Sequence, residues 1–198
     1  LGSNGALGGL QAGYSWQWNP TGVVVGVEAD IQWTAMGSSL TRTNPAGNVA
    51  AGQLALRAED HLRWFGTLRG RAGFLATPNL LLYATGGLAF GEDKASASVI
   101  NRGPGPFAPN GLTTLLCQDP STCFAGSGSR GSVGWAAGAG GEWALTHNWS
   151  VKLEYLHIDL GRQDVLMPVA APSTGTGFLQ MRVRNAYDIG RFGLNYHF

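Results

Sequence analysis

The sequence predicts an all-β fold, a transmembrane antiparallel up-and-down β-barrel, and three observations carry that reading. Seven segments alternate apolar and polar residues with period two. Every tryptophan (Trp16, Trp18, Trp33, Trp64, Trp135, Trp143 and Trp149) falls near the end of such a segment, on its apolar side. Indole rings prefer membrane–water boundaries, so strands capped this way read as the two aromatic girdles of a membrane barrel, with Tyr196 as a further member. The connections also alternate strictly between tight and long, which a soluble sandwich has no reason to produce.

Composition agrees. Only 13% of the residues are charged, while 44% are hydrophobic and 31 are glycine. A water-soluble domain carries about a quarter charged residues, so half of the expected polar coat is missing. Gly, Gln, Glu or Arg interrupts every apolar run before the roughly 20 residues that a membrane helix needs. If lipid is the solvent, unsatisfied backbone groups leave a closed barrel as the spanning form. A formal charge of +1 gives no reason to expect nucleic acid as a partner.

The alternating segments lie near residues 8 to 18, 23 to 33, 61 to 75, 79 to 91, 133 to 145, 149 to 160 and 182 to 198. Asn19-Pro20-Thr21-Gly22, Thr77-Pro78-Asn79 and Thr146-His147-Asn148 supply the tight turns. The other connections, near 34 to 60, 92 to 132 and 161 to 181, are long and read as extracellular loops of one domain spanning 1 to 198. Asn101 to Asn110, Gly126 to Ser129 and Pro172 to Gly177 are too rich in Gly, Pro and Ser to bury a core, so these stretches are expected to be mobile.

The second segment sets the sidedness. Val23, Val25, Val27, Ala29, Ile31 and Trp33 oppose Val24, Gly26, Glu28, Asp30 and Gln32. An Arg or Lys at the lipid midplane costs about 2 to 4 kcal/mol, whereas an inward one can find a partner, so the charged face is the lumen. The same parity sends Arg63, Arg69 and Arg71 inward from the third segment, and Glu142, Lys152, Glu154 and Arg191 from later ones. Eight strands leave an interior only wide enough for side chains to fill. These residues are therefore expected to form a charge-paired plug, with a narrow ion path as the alternative. The parity falters at Asp188 and Ile189, where a bulge, or a strand emerging from the membrane, is expected.

A bacterial single-chain barrel has an even number of strands, and seven are readable. Leu1 to Leu7 reads as a loop, so eight strands are expected in the full protein, the first lying before Leu1. The absence of a signal peptide decides nothing, because an exported protein has already lost it.

Cys117 and Cys123 are the only cysteines, close together in a polar stretch. They can close a small disulfide loop in an oxidising compartment or remain free thiols; zinc lacks further ligands nearby. His61, His147, His157 and His197 are scattered over strand ends. His61 or His157 with Asp159 is the least implausible catalytic seed at the rim, but no nucleophile accompanies them, so no enzymatic activity, cofactor or metal is expected. Gly138-Ala-Gly140-Gly141 lies in an alternating segment with no following helix and reads as structural glycine, not a phosphate loop. Asn148-Trp149-Ser150 matches the glycosylation pattern by accident, with Trp149 as an interface anchor.

Gly26-Val-Glu-Ala-Asp-Ile-Gln32, Gly66-Thr-Leu-Arg-Gly-Arg-Ala-Gly73 and Leu81-Leu-Tyr-Ala-Thr-Gly-Gly-Leu88, with Gly134 to Gly161 and Gly193-Leu-Asn-Tyr-His-Phe198, carry a family resemblance. The chain resembles the small outer-membrane porin-like proteins of alphaproteobacteria, related to the opacity and immunogenic surface proteins. The likeness covers nearly every strand and almost none of the long loops. It implies an eight-stranded barrel in the Gram-negative outer membrane, with Phe198 as the terminal aromatic read by the barrel-assembly machinery. The family pattern begins with one more aromatic, Gly-rich strand than this chain holds. The expected role is a surface protein that stabilises the envelope and interacts through its loops; a small porin is the alternative. Its partners would be outer-membrane lipid and lipopolysaccharide, with neighbouring envelope proteins or host surface molecules also open.

Overall fold

The computed structural model describes residues 6–18, 21–43, 54–102, 117, 121–171, 173 and 177–197. Seven strands account for nearly all of them: β1 (Leu7–Trp18), β2 (Val23–Thr43), β3 (Leu54–Thr77), β4 (Leu80–Asn101), β5 (Ser121–Ala144), β6 (Trp149–Pro168) and β7 (Phe178–Tyr196). They form one antiparallel sheet in the order β1-β2-β3-β4-β5-β6-β7. No described helix is long and apolar enough to cross a membrane, which says nothing of strands. The edge strands β1 and β7 approach each other through a hydrogen bond from Gln11 Nε2 to Asn195 Oδ1, 2.5 Å.

The tight turns lie at one end. Gly22 takes φ +68°, a conformation glycine adopts without strain, and its carbonyl accepts from Leu75 N at 3.0 Å. Asn79 and Asn148 accept from Ala144 N and His197 N in the same way. Asn19 and Pro20 lie outside the described residues.

At the other end the strands run further than alternation alone suggests. β2, β3, β4, β5, β6 and β7 all continue into the stretches expected as loops, and Gly126 to Ser129 is ladder within β5. Most of the other two Gly- and Pro-rich stretches lies outside the described residues. Irregular register marks the change of regime: between Trp33 and Met36 on β2, between Leu62 and Trp64 on β3, and between Asp159 and Arg162 on β6. These sites lie at the height of Trp33, Trp64 and Trp135. From Val23 to Trp33, β2 offers about the 9 to 11 residues that a tilted strand needs to cross a bilayer.

The two faces separate by chemistry. Leu10, Val27, Ile31, Leu68, Leu88, Leu153 and Phe192 are exposed outside, an arrangement that water would punish and hydrocarbon accepts. The interior is filled in tiers. Val24, Leu81 and Tyr83 pack near the turns. A charged layer comes next, then an apolar one containing Leu62, Phe65, Ala89, Leu156, Ile158 and Ile189. Above it Asp93 Oδ2 accepts from Asn185 Nδ2 at 2.9 Å. Beyond the bulges a second apolar core, with Leu54, Val99, Phe124, Val165 and Met167, fills the extension.

Candidate functional site

The charged layer is built from alternate positions on β2 to β7. Register puts Glu28 opposite Arg69, Arg69 opposite Gly87, Gly140 opposite Glu154, and Glu154 opposite Arg191. Because side chains alternate faces along a strand, this register aims all of these groups inward.

Arg69 is the hub. Its guanidinium reaches Glu28 Oε2 (3.2 Å), Asp30 Oδ2 (2.9 Å) and Glu154 Oε1 (3.2 Å), and donates to Thr67 Oγ1 (2.8 Å) and Thr85 Oγ1 (3.3 Å). Arg71 Nη1 bridges Glu28 Oε1 (2.9 Å) and Glu142 Oε2 (3.0 Å), Nη2 donates to Ser15 Oγ (2.7 Å), and the group stacks over the Tyr83 ring. Lys152 Nζ lies 3.5 Å from Glu28 Oε1. Arg191 pairs with Glu154 and lies 3.2 Å from Asp30 Oδ2. Ser150 Oγ and Asn195 Nδ2 donate to Glu142 Oε1, and Tyr83 Oη donates to Glu154 Oε1 at 3.2 Å.

The four carboxylates Glu28, Asp30, Glu142 and Glu154 thus meet the four cations Arg69, Arg71, Lys152 and Arg191, and every one of these side chains is nearly sealed from solvent. Burying a charge is costly unless it is paired and hydrogen-bonded; here the formal charges cancel within the layer.

Arg63 departs from its expected place. It is the extra residue of the β3 bulge, and one inserted residue reverses the facing of its neighbours further along the strand. Its side chain is exposed, 3.8 Å from Glu92 Oε1. The bulge expected at Asp188 is the other correction. The β6–β7 register runs through Asp188 without a break, and the irregularity falls instead on β6, where Gly161 takes φ +85°. Asp188 stays on the outer face and accepts from Tyr155 Oη (2.6 Å), with His157 Nδ1 at 2.7 Å, while Ile189 enters the apolar tier.

The remaining expected residues sort plainly. Trp16, Trp18, Trp143, Trp149 and Tyr196 are exposed near the short turns, the last two in edge contact at 5.1 Å. Trp33 and Trp135 are exposed at the far boundary, where half-buried Trp64 donates to Glu92 Oε2 at 3.3 Å. Cys117 and Cys123 form a disulfide, buried in the upper apolar core. His157 faces Asp188, whereas Asp159 accepts from Arg184; His61 is exposed opposite Lys94. Gly138, Gly140 and Gly141 are ladder residues of β5. Phe198 lies outside the described residues. Parity places Thr67 and Asn195 inward from sequence alone; sequence reasoning did not single out Tyr83, Thr85 and Ser150, although each occupies lumen parity, which is the signal that finds them.

Comparison with known proteins bears on the whole chain. Residues 2–198 match the family model described as outer membrane protein beta-barrel domain. The chain is similar to the 31 kDa outer-membrane immunogenic protein of Brucella melitensis, with 37% identity over 198 residues, covering 99% of this chain and 68% of that protein. The Brucella suis protein of the same name matches equally. The 22 kDa outer membrane protein of Rhizobium leguminosarum bv. viciae is 27% identical over 157 residues, covering 79% of this chain and 54% of that protein. No solved structure matches this chain. The chain belongs to the outer-membrane β-barrel family, and its location is the bacterial outer membrane.

Proposed function

We propose, with membership of the outer-membrane β-barrel family as the premise, that this protein is a structural and surface-interaction component of the envelope. Its strands anchor it in lipid, its interior is shut, and its extracellular extension is the part displayed. The observation that carries this reading is the buried layer of four carboxylates and four cations, with a packed apolar tier stacked above it. Phe65, Leu156 and Ile158 pack against one another in that tier, which supports a closed path.

Recording in planar bilayers tests the closed interior. The expected result is no steady conductance; a stable, reproducible conductance that changes with Arg71→Ala rejects it. That second outcome belongs to a small porin, a reading favoured by the same charged groups if they line a path instead of closing it. The proposed partners are outer-membrane lipid and lipopolysaccharide, the barrel-assembly machinery through Phe198, and neighbouring envelope or host surface molecules at the extension. The relatives' names, which call them immunogenic, accord with a displayed surface.

A further inference from the structure

Past the bulges, the outer face of the sheet holds a cleft of about 700 Å³, inside the range of about 300 to 1,000 Å³ typical of small-ligand sites. Its floor is made by β4 and β5. Ala95, Ala97 and Val99 go to the upper core, so the alternate residues Ser96 and Ser98 face outward. Register sets Ser96 beside Ser127 and Ser98 beside Ala125, small side chains in two adjoining rows. On one bank, β3 sets Glu59 opposite Ser96 and Arg57 opposite Ser98. Leu166 and Pro168 of β6, both exposed, form the other bank. The β5–β6 ladder stops at Trp135 and Asp159 and, among the described residues, resumes only in the bridge between Phe124 and Val169, so the cleft lies over an interval without paired rungs.

Ser96 and Ser98 stand four and six residues beyond Glu92, the register partner of Trp64. At about 3.3 Å per residue along a tilted strand, the cleft clears the aromatic row by about 10 to 20 Å. What reaches it comes from water, not from lipid.

Ser96, Ser98 and Ser127 take part in none of the side-chain hydrogen bonds found among the described residues. Arg57 Nε and Glu59 Oε1 meet at 3.0 Å, a pair that cancels the charge of the cleft and leaves two Nη groups and Oε2 for a ligand. A hydroxyl both donates and accepts. The ligand that matches this set is uncharged, carries hydroxyls of its own along one edge, and offers a C–H face to Leu166 and Pro168. A pyranose ring has both. An anion would meet Glu59 and a guanidinium already paired, and an extended peptide bound by strand addition needs a free sheet edge instead of a face.

We infer that this cleft is a binding site for a neutral saccharide of one or two rings, held by Ser96, Ser98, Ser127, Arg57 and Glu59 and packed against Leu166 and Pro168. The inference rests on the proposed display of the extension outside the cell and names a class of molecule recognised there.

Saturation-transfer NMR on the full-length protein in phospholipid nanodiscs, free of sugar-based detergent, tests it with maltose, cellobiose, lactose and N,N′-diacetylchitobiose as probes. At least one is expected to receive saturation and to bind with a measurable Kd. Ser96→Leu with Ser127→Leu fills the floor, and Arg57→Ala with Glu59→Ala removes the charged bank; each is expected to weaken that probe by about tenfold or more, the loss of at least one hydrogen bond to the ligand. Heat-modifiable electrophoretic migration checks that each variant folds, and the alanine pair, which alters only surface side chains, decides the matter if the leucine pair does not fold. No transfer to any of the four probes, undiminished binding by a folded variant of either kind, or equal binding of digalacturonate or of a glycine–serine hexapeptide overturns the site. Ser129→Cys, an exposed position outside the cleft, labelled on intact cells with a membrane-impermeant maleimide, reports display separately. Labelling without saccharide binding removes the cleft and leaves the displayed-surface reading; binding without labelling removes display and leaves the cleft.

Discussion

Arg69 on β3 and Glu154 on β6 meet at 3.2 Å with neither side chain exposed, although two strands separate theirs in the sheet. The bond crosses the interior instead of following the ladder. It belongs to a layer in which every strand from β2 to β7 except β4 and β5 contributes at least one paired charge to the Arg69–Glu154–Arg191 neighbourhood.

Arg69→Ala removes a counter-charge shared by Glu28, Asp30 and Glu154 and leaves the buried layer one cation short. Removing one partner of a buried pair costs about 3 to 5 kcal/mol, and the expected result is a correspondingly lower urea midpoint in detergent, with the slope unchanged. The combined change of Glu154→Gln and Arg191→Met should cost less than the sum of the two single changes, because each single change leaves the buried layer with an uncancelled charge and the pair of changes does not. Additive losses would show that the layer is not coupled.

Under the proposed closure, the apolar tier seals independently of the charges. Leu156→Ala removes packing worth about 2 to 5 kcal/mol and on its own should leave bilayers silent. Leu156→Ala combined with Arg71→Ala breaches both layers and is expected to give conductance events. A leak from Arg71→Ala alone would mean that the tier around Phe65 and Leu156 is not a barrier.

Depth governs the outer face. Leu153→Arg places a guanidinium in the hydrocarbon belt and should destabilise by about 2 to 4 kcal/mol. Leu166→Arg, on the same strand and also exposed but beyond the bulge at Gly161, should change stability by no more than about 0.5 kcal/mol. Equal costs in refolding titrations into lipid vesicles would misplace the boundary.

The disulfide should act locally. Cys117→Ser with Cys123→Ser releases a short loop, about 2 kcal/mol by loop-closure entropy, and places two hydroxyls in the apolar core around Leu54, Val99 and Phe124. Faster trimming of the extension by protease is expected, with the membrane-embedded strands still protected. Loss of folded electrophoretic mobility would show that the upper core supports the whole barrel.

Much of the molecule was readable from residues alone, for reasons that also explain the gaps. Within the bilayer, lipid on one side and a filled lumen on the other impose strict alternation, so Glu28, Asp30, Arg69, Arg71, Glu142, Lys152, Glu154 and Arg191 could be assigned together. Arg63 could not, because a bulge adds a residue without leaving a mark in hydropathy. Past the boundary both faces change solvent. The outward positions of β5 turn to Ser127, Ser129 and Gly131 while Gly126 and Gly128 between them are as small, and the contrast that announces a strand disappears though the ladder continues. Asp188 broke the rule because Tyr155 and His157 give a carboxylate company on the outer surface, a pairing across strands that linear order conceals.

The strands that climb past Trp33, Trp64 and Trp135 with a packed core of their own give the exterior a fixed relief. Antibodies raised against the boiled polypeptide would learn a ribbon of successive residues, whereas those raised against intact cells would learn a contour assembled from six neighbouring strands. The two sera should cross-react poorly.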